Sequence, residues 1–134
     1  MPQYMLLLYA PEVEEAGERD RWAEMPLWLE VTESLREAGV LVANAPLHPV
    51  ASATTVRVRA GEAERTDGPF AMTKEILAGY YLLDCADLDE ALKHAARLPT
   101  ARYGSVEVRP VMSSAAIPSG AAIPAPDEAA AGPA

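Results

Sequence analysis

Asp67, His48 and Lys74 are the side chains in this sequence best suited to acid–base or electrostatic chemistry. Asp67 sits in Thr66-Asp67-Gly68-Pro69-Phe70, and Thr73-Lys74-Glu75 follows directly before the most apolar run of the chain. A carboxylate ahead of Gly-Pro commonly accepts local backbone N–H groups and shapes its own turn. Its chemical use would be as a general acid or base, or as a ligand-orienting group at the rim of a sheet. Gly68 and Pro69 are turn residues under either reading. Lys74 and Glu75 are neighbours and face opposite sides of a strand, so Lys74 is either a solvated cation or a group that draws an anionic ligand towards Asp67. His48 lies alone between Leu47 and Pro49, and an imidazole exchanges protons near neutral pH. The catalytic candidates are therefore Asp67 and His48. The ligand-binding candidates are Lys74, Tyr80, Tyr81 and Arg57. Tyr80 and Tyr81 must point to opposite sheet faces, so one hydroxyl can enter a cleft while the other ring packs. Arg57, Arg59 and Arg109 fall on the polar sides of alternating segments, where they would gather an anion or pair with Glu107 or Asp67. Phe70 is the only phenylalanine and reads as a core anchor.

Several chemistries have no signature. There is no paired His and Cys spacing for zinc, no glycine-rich phosphate loop and no nucleophile elbow, so neither a metal nor a cofactor is expected. Cys85 is the only cysteine, which rules out an intrachain disulfide, and its apolar surroundings predict a small buried hydrophobe. His94 reads as a helix-surface residue outside any cluster. The net charge of −9 and the pI of about 4.6 argue against a nucleic-acid partner and against anionic membranes. Nine acids and three arginines fall between residues 12 and 37, a solvated acidic face or a docking surface for a basic partner. The N-terminal Met-Pro-Gln-Tyr lacks the basic region of a signal peptide, and no apolar run approaches the roughly 20 residues of a membrane span. A cytoplasmic protein is the expectation.

The elements that must carry these residues follow from periodicity. Residues 3–9 form a nearly continuous apolar run, typical of a strand covered on both faces. Residues 11–24 are acidic and predict a loop with a helical turn. Pro26 suits the first turn of a helix. Trp28, Val31, Leu35 and Ala38 then mark one helical face, and Gly39 supplies the stop. A second strand is expected over 40–43 and a proline-broken loop over 44–49. Thr54 to Arg59 alternates, predicting a half-buried strand with Val56 and Val58 inward, and Gly61-Glu62 turns it into a short return strand over 63–66. Residues 76–83 are apolar throughout and belong at the sheet centre. Asp87 is the N-cap of a helix with Glu90 three residues on, and Leu88, Ala91, Leu92 and Ala95 form its expected buried face, ended by Pro99. A last strand over 105–111 buries Val106 and Val108.

The order is β-α-β, a hairpin, then β-α-β. Two such units folded together give a ferredoxin-like split βαβ arrangement, an α+β fold with helices on one face of an antiparallel sheet. The other face would carry apolar side chains from 3–9 and 76–83, and packing two copies sheet on sheet is the simplest way to cover it. The domain spans 1–112. Residues 113–134 hold nine Ala, four Pro, three Ser and two Gly, a low-complexity tail whose composition predicts disorder.

The chain resembles the YCII-related domain family, and its DGPF branch in particular. The residues that carry the resemblance are Tyr4-Met5-Leu6-Leu7, Leu35-Arg36-Glu37-Ala38-Gly39-Val40-Leu41, Ala53-Thr54-Thr55-Val56-Arg57, the naming motif Thr66-Asp67-Gly68-Pro69-Phe70, Thr73-Lys74-Glu75, Gly79-Tyr80-Tyr81, Asp87-Leu88-Asp89-Glu90-Ala91 and Tyr103-Gly104-Ser105-Val106-Glu107-Val108-Arg109-Pro110. The resemblance covers nearly all of 1–112. It implies a dimeric α+β barrel. It also implies an enzyme-like His–Asp pair in some relatives, whose His lies early in the first helix. Residues 25–29 contain no His, so that pair does not carry over, and His48 is not its positional equivalent. The functional expectation is a homodimer with a small-molecule cleft near the DGPF loop, using Asp67 as acid or base. The alternative is a non-catalytic regulatory module of the kind that accompanies sigma factors.

Overall fold

Tyr4, Leu6, Leu8 and Ala10 alternate with Met5, Leu7 and Tyr9 along the first strand, and only the first set is fully buried. That strand, β1 (Gln3–Pro11), is one of the two central strands of the fold seen in a computed structural model, which describes residues 1–12 and 21–113. Most of the expected acidic loop and nearly all of the expected low-complexity tail lie outside the described residues. The other strands of the sheet are β2 (Leu41–Pro46), β5 (Glu75–Asp84) and β6 (Ser105–Pro110), in the order β2-β5-β1-β6 with every pairing antiparallel. Helix α1 (Met25–Glu37) joins β1 to β2, and α2 (Leu88–Ala95) with the short α3 (Thr100–Tyr103) joins β5 to β6. Each β-α-β unit is thus split by a strand of the other. The fold is α+β with antiparallel sheets.

The core lies between the helices and one face of the sheet. Leu6, Leu8, Tyr81 and Leu83 of the central strands meet Leu35 of α1, Ala91 and Ala95 of α2, and Leu98. Full burial of a leucine of this kind contributes roughly 1.5–3 kcal/mol. The opposite face carries Met5, Leu7, Tyr9, Tyr80 and Leu82, half-buried in the single chain. Leu7 stands opposite Tyr80, and Met5 opposite Leu82.

Local signals set the element ends. Pro26 occupies the first turn of α1. Gly39 takes φ +75°, a left-handed conformation open to glycine, while Val40 donates its N–H to the Leu35 carbonyl. At α2 the Asp87 carboxylate accepts the Glu90 N–H at 2.9 Å, and the Glu90 carboxylate reaches back to the Ala86 N–H at 2.6 Å.

Tertiary context overrides other expectations. Strand β2 runs on through Asn44–Pro46, where a loop was expected, because Asn44, Ala45 and Pro46 continue the ladder with Tyr81, Tyr80 and Gly79. β2 is an edge strand, so a proline is tolerated there. Strands β3 (Thr54–Arg59) and β4 (Glu62–Asp67) form a separate two-stranded sheet through an Ala60-Gly61 turn. Val56 and Val58 are therefore exposed rather than half-buried, since among the described residues no second layer covers the hairpin. Phe70, expected as a core anchor, is 77% exposed. Leu88 and Leu92 face solvent, because the contact of α2 with the core is narrow enough for Ala91 and Ala95 to fill it. Ala38 is the exposed C-cap of α1 and adds nothing to its buried face. Pro99 starts α3, while α2 already ends at Ala95.

Gly104, between α3 and β6, lies directly against β1. A Cβ there would stand 2.1 Å from the Tyr9 carbonyl oxygen and 3.0 Å from the Ala10 Cα. Both neighbours are backbone of a central strand, so neither can give way cheaply. Gly104→Ala is expected to destabilise the domain by about 3 kcal/mol or more, read as a fall in the urea midpoint. An unchanged midpoint would show that β6 can shift without disturbing β1.

Candidate functional site

The hairpin returns the chain at Asp67 into a turn held by backbone and hydroxyl groups. Gly68, at φ +99°, donates its N–H to the Ala53 carbonyl at 2.7 Å, and the Thr55 hydroxyl donates to the Gly68 carbonyl at 2.8 Å. Arg57 reaches the Phe70 carbonyl at 3.4 Å. The facing loop is tied down in the same way: Leu47 donates its N–H to the Ala78 carbonyl at 2.8 Å, and the Ser52 hydroxyl donates to the Pro49 carbonyl at 2.6 Å. Between these loops lies a cavity of about 540 Å³. Its wall is mainly apolar, with Leu47, Val50, Phe70, Ile76 and Leu77, and its polar groups are His48, Tyr9, Ser52, Thr55 and Thr73. His48 also lines a smaller adjoining cavity of about 140 Å³ that contains Glu12 and Arg21.

The candidate residues are distributed unevenly around this space. His48 lines it, and Pro69 and Phe70 of the DGPF run lie in its wall. Asp67 is exposed at the end of β4, opposite Thr54, and neither it nor Lys74 lines the cavity. Tyr80 is half-buried on the open sheet face, whereas Tyr81 is buried on the helix face. Arg57 and Arg59 belong to the hairpin and Arg109 to β6, so Arg109 stands on a different sheet from the other two. Among the described residues none of them forms an ion pair with Glu107 or Asp67. Glu75 accepts a hydrogen bond from the Ser105 hydroxyl at 2.6 Å, which joins the start of β5 to the start of β6.

A second cavity, of about 450 Å³, lies between α1 and the sheet. Tyr81 shares a 2.6 Å hydrogen bond with the Thr32 hydroxyl, and its ring stacks on Trp28 with centroids 6.2 Å apart. Tyr103 donates to Glu24 at 2.9 Å, and the Arg21 guanidinium lies 4.3 Å from the Tyr103 ring centroid. The Thr100 hydroxyl in this wall is buried without a hydrogen-bond partner among the described residues. Trp28 and Thr32 share a helical face by their i, i+4 spacing, but nothing in the sequence places Asn44, Tyr81 and Tyr103 beside them. Their neighbours come from segments far apart in the chain.

Cys85, Glu90 and His94 form a cluster that sequence reading also missed. Their candidate donor atoms lie within 4.8 Å of one another. His94, expected on the helix surface and outside any cluster, is half-buried, with Nε2 3.7 Å from Glu90 Oε1. Cys85 is fully buried, as its apolar context predicts. Burial pushes its thiol up from 9.0 to about 11, with Glu90, Asp84 and Asp87 adding to the effect. The i, i+4 spacing of Glu90 and His94 is visible in the sequence. The turn between β5 and α2 that sets Cys85 beside them is not.

The architecture defines an antiparallel α+β domain of two interleaved β-α-β units. Its sequence matches the model of the YCII-related domain over residues 2–115, so the chain belongs to that family. It is also similar to an uncharacterized protein of Rhizobium meliloti (strain 1021), with 54% identity over 77 residues. That match covers 56% of this chain and 62% of the relative, so the chain spans under two thirds of the relative's length. Among the described residues no helix is long and apolar enough to cross a membrane.

Burial, and then the hydrogen bond to Glu24, push the Tyr103 phenol from 10.0 up to about 12. The folded chain therefore holds this proton more tightly than the unfolded chain does. The contribution is fully present below pH 10 and is lost as pH rises towards about 12. Tyr103→Phe is expected to flatten the fall of the unfolding midpoint with pH in that window, measured by urea titrations of both proteins. Parallel curves would show that the phenol titrates alike in the folded and unfolded chains.

Proposed function

We propose that the chain binds a small, largely apolar molecule in the cavity between the DGPF loop and the open face of the sheet, with His48 engaging the ligand's polar end. The cavity of about 540 Å³ carries this reading. It falls in the range typical of small-molecule sites, which pair apolar walls with a few polar groups. The imidazole would orient the ligand or exchange a proton with it. Acid–base work by Asp67 would need a ligand that extends past the rim, since its carboxylate lies outside the wall. The Thr66–Phe70 motif supports membership of the DGPF branch, and the chain's acidic balance accords with a cytoplasmic protein.

The working form in this reading is a homodimer joined through the open sheet faces, a dimeric α+β barrel. Tyr9 supports the link between assembly and site: it belongs to the half-buried face of β1 and also lines the cavity. A partner sheet over Met5, Leu7 and Leu82 would close that side and remove water from the ligand.

Two experiments test these statements. Native mass spectrometry of the purified protein is expected to find one small molecule per chain. Ala53→Trp, which fills the cavity, should release it while leaving the fold unchanged by circular dichroism. Retention of the same molecule by the folded variant would place binding elsewhere. Light scattering is expected to give a dimer mass for the wild type and a monomer mass for Leu82→Glu, which puts a charge in the seam. A monomeric wild type would sink the barrel.

A further inference from the structure

We propose that Cys85, Glu90 and His94 form a binding site for a soft divalent cation of the zinc class, at the junction of β5 and α2. The three donors differ in type: a thiolate, a carboxylate and an imidazole. That combination suits zinc and disfavours magnesium or calcium, which take oxygen ligands. It is separate from the cavity proposed above and does not depend on it.

The local fold brings the donors together. β5 ends at Asp84, and Cys85 follows it with its side chain in the core. The chain then enters α2, where Glu90 and His94 are four residues apart and share one helical face. The carboxylate of Glu90 is already oriented. Its Oε2 accepts the Ala86 N–H at 2.6 Å, leaving Oε1 towards His94 Nε2 at 3.7 Å. A tetrahedral zinc with bonds of about 2.0–2.3 Å holds its donors roughly 3.5 Å apart. The Glu–His separation is close to that spacing, and all three donors lie within 4.8 Å of one another, so binding requires the thiol and its partners to draw in by about 1 Å.

The second observation is a polar atom left without a hydrogen-bond partner among the described residues. His94 Nε2 is buried and makes no hydrogen bond among the described residues. Leaving a buried nitrogen in that condition is unfavourable, so such groups are rare without a reason. A capping box and an i, i+4 pair account for Glu90, but they leave this nitrogen unsatisfied. A cation between it and the thiol would complete its coordination.

The site is reachable from one side. Cys85 is enclosed, whereas the His94 and Glu90 side chains keep 17% and 35% of their exposure, so an ion would enter past the helix. On binding, the Cys85 S–H bond breaks, a sulfur–metal bond forms and the proton passes to water. Three protein donors leave a fourth position for water or an external ligand.

Cobalt(II) and zinc(II) titrations of the full chain test the proposal. Cobalt is expected to bind at one equivalent per chain and to show a thiolate-to-metal charge-transfer band, displaced by zinc. Cys85→Ser should abolish the band. His94→Gln and Glu90→Gln, the latter able to keep the bond to Ala86, should each weaken zinc binding by at least about tenfold. Far-ultraviolet circular dichroism establishes that each variant is folded. A folded wild type without the band overturns the site, as does unchanged zinc affinity in folded His94→Gln and Glu90→Gln.

Discussion

The pairing of β1 with β5 is the constraint on which the rest of the molecule depends. The two strands lie far apart in sequence yet register residue against residue from Gln3 opposite Asp84 to Pro11 opposite Glu75, with a single irregularity between Leu8 and Tyr9. Both carry apolar side chains on both faces. One set, Leu6, Leu8, Tyr81 and Leu83, joins the helices to the sheet. A slip of one residue would turn that set away from the helices. β2 and β6 only extend this pair at its two edges.

The same pairing divides the work between the faces. The helix face is covered by the helices, with aromatic stacking and a hydroxyl pair between Tyr81, Trp28 and Thr32. The open face ends beneath the loops that follow β2 and β4. Those loops are tied to the framework by backbone bonds, Leu47 to Ala78 and Gly68 to Ala53. The cavity between them is therefore shaped by these main-chain anchors together with the Ser52 and Thr55 hydroxyls. The junction after β5 has the opposite character. There the side chains of Asp87 and Glu90 themselves build the turn into α2, and His94 and Cys85 are drawn into the same small volume.

Much of the architecture was legible because its signals are local. The alternation of the first strand, Pro26, Gly39 and the Asp87–Glu90 cap each act within a few residues. Burial was less legible, because it depends on what arrives from elsewhere. Val56 and Val58 alternate like core residues, yet among the described residues no layer covers the hairpin. Phe70 is a large hydrophobe on a loop, and the loop stays at the surface. Leu88 and Leu92 lie beside Ala91 and Ala95 on the helix, and the smaller pair reaches the sheet. The candidate site was legible in part. His48 and the DGPF loop do border one cavity. The separation of Asp67 from that cavity follows from the path of the hairpin, and the meeting of Cys85 with His94 from the turn between β5 and α2, and no spacing rule encodes either.

The hairpin of β3 and β4 forms a sheet of its own and shares no ladder with the four central strands. Its length is thereby uncoupled from the register of the core. Residues could be added or removed at the Ala60-Gly61 tip without moving a hydrogen bond of the main sheet. The base of the hairpin has no such freedom, because Thr55 and Gly68 there hold the cavity wall. One end of this arm can change in length while the other stays fixed by the wall it holds.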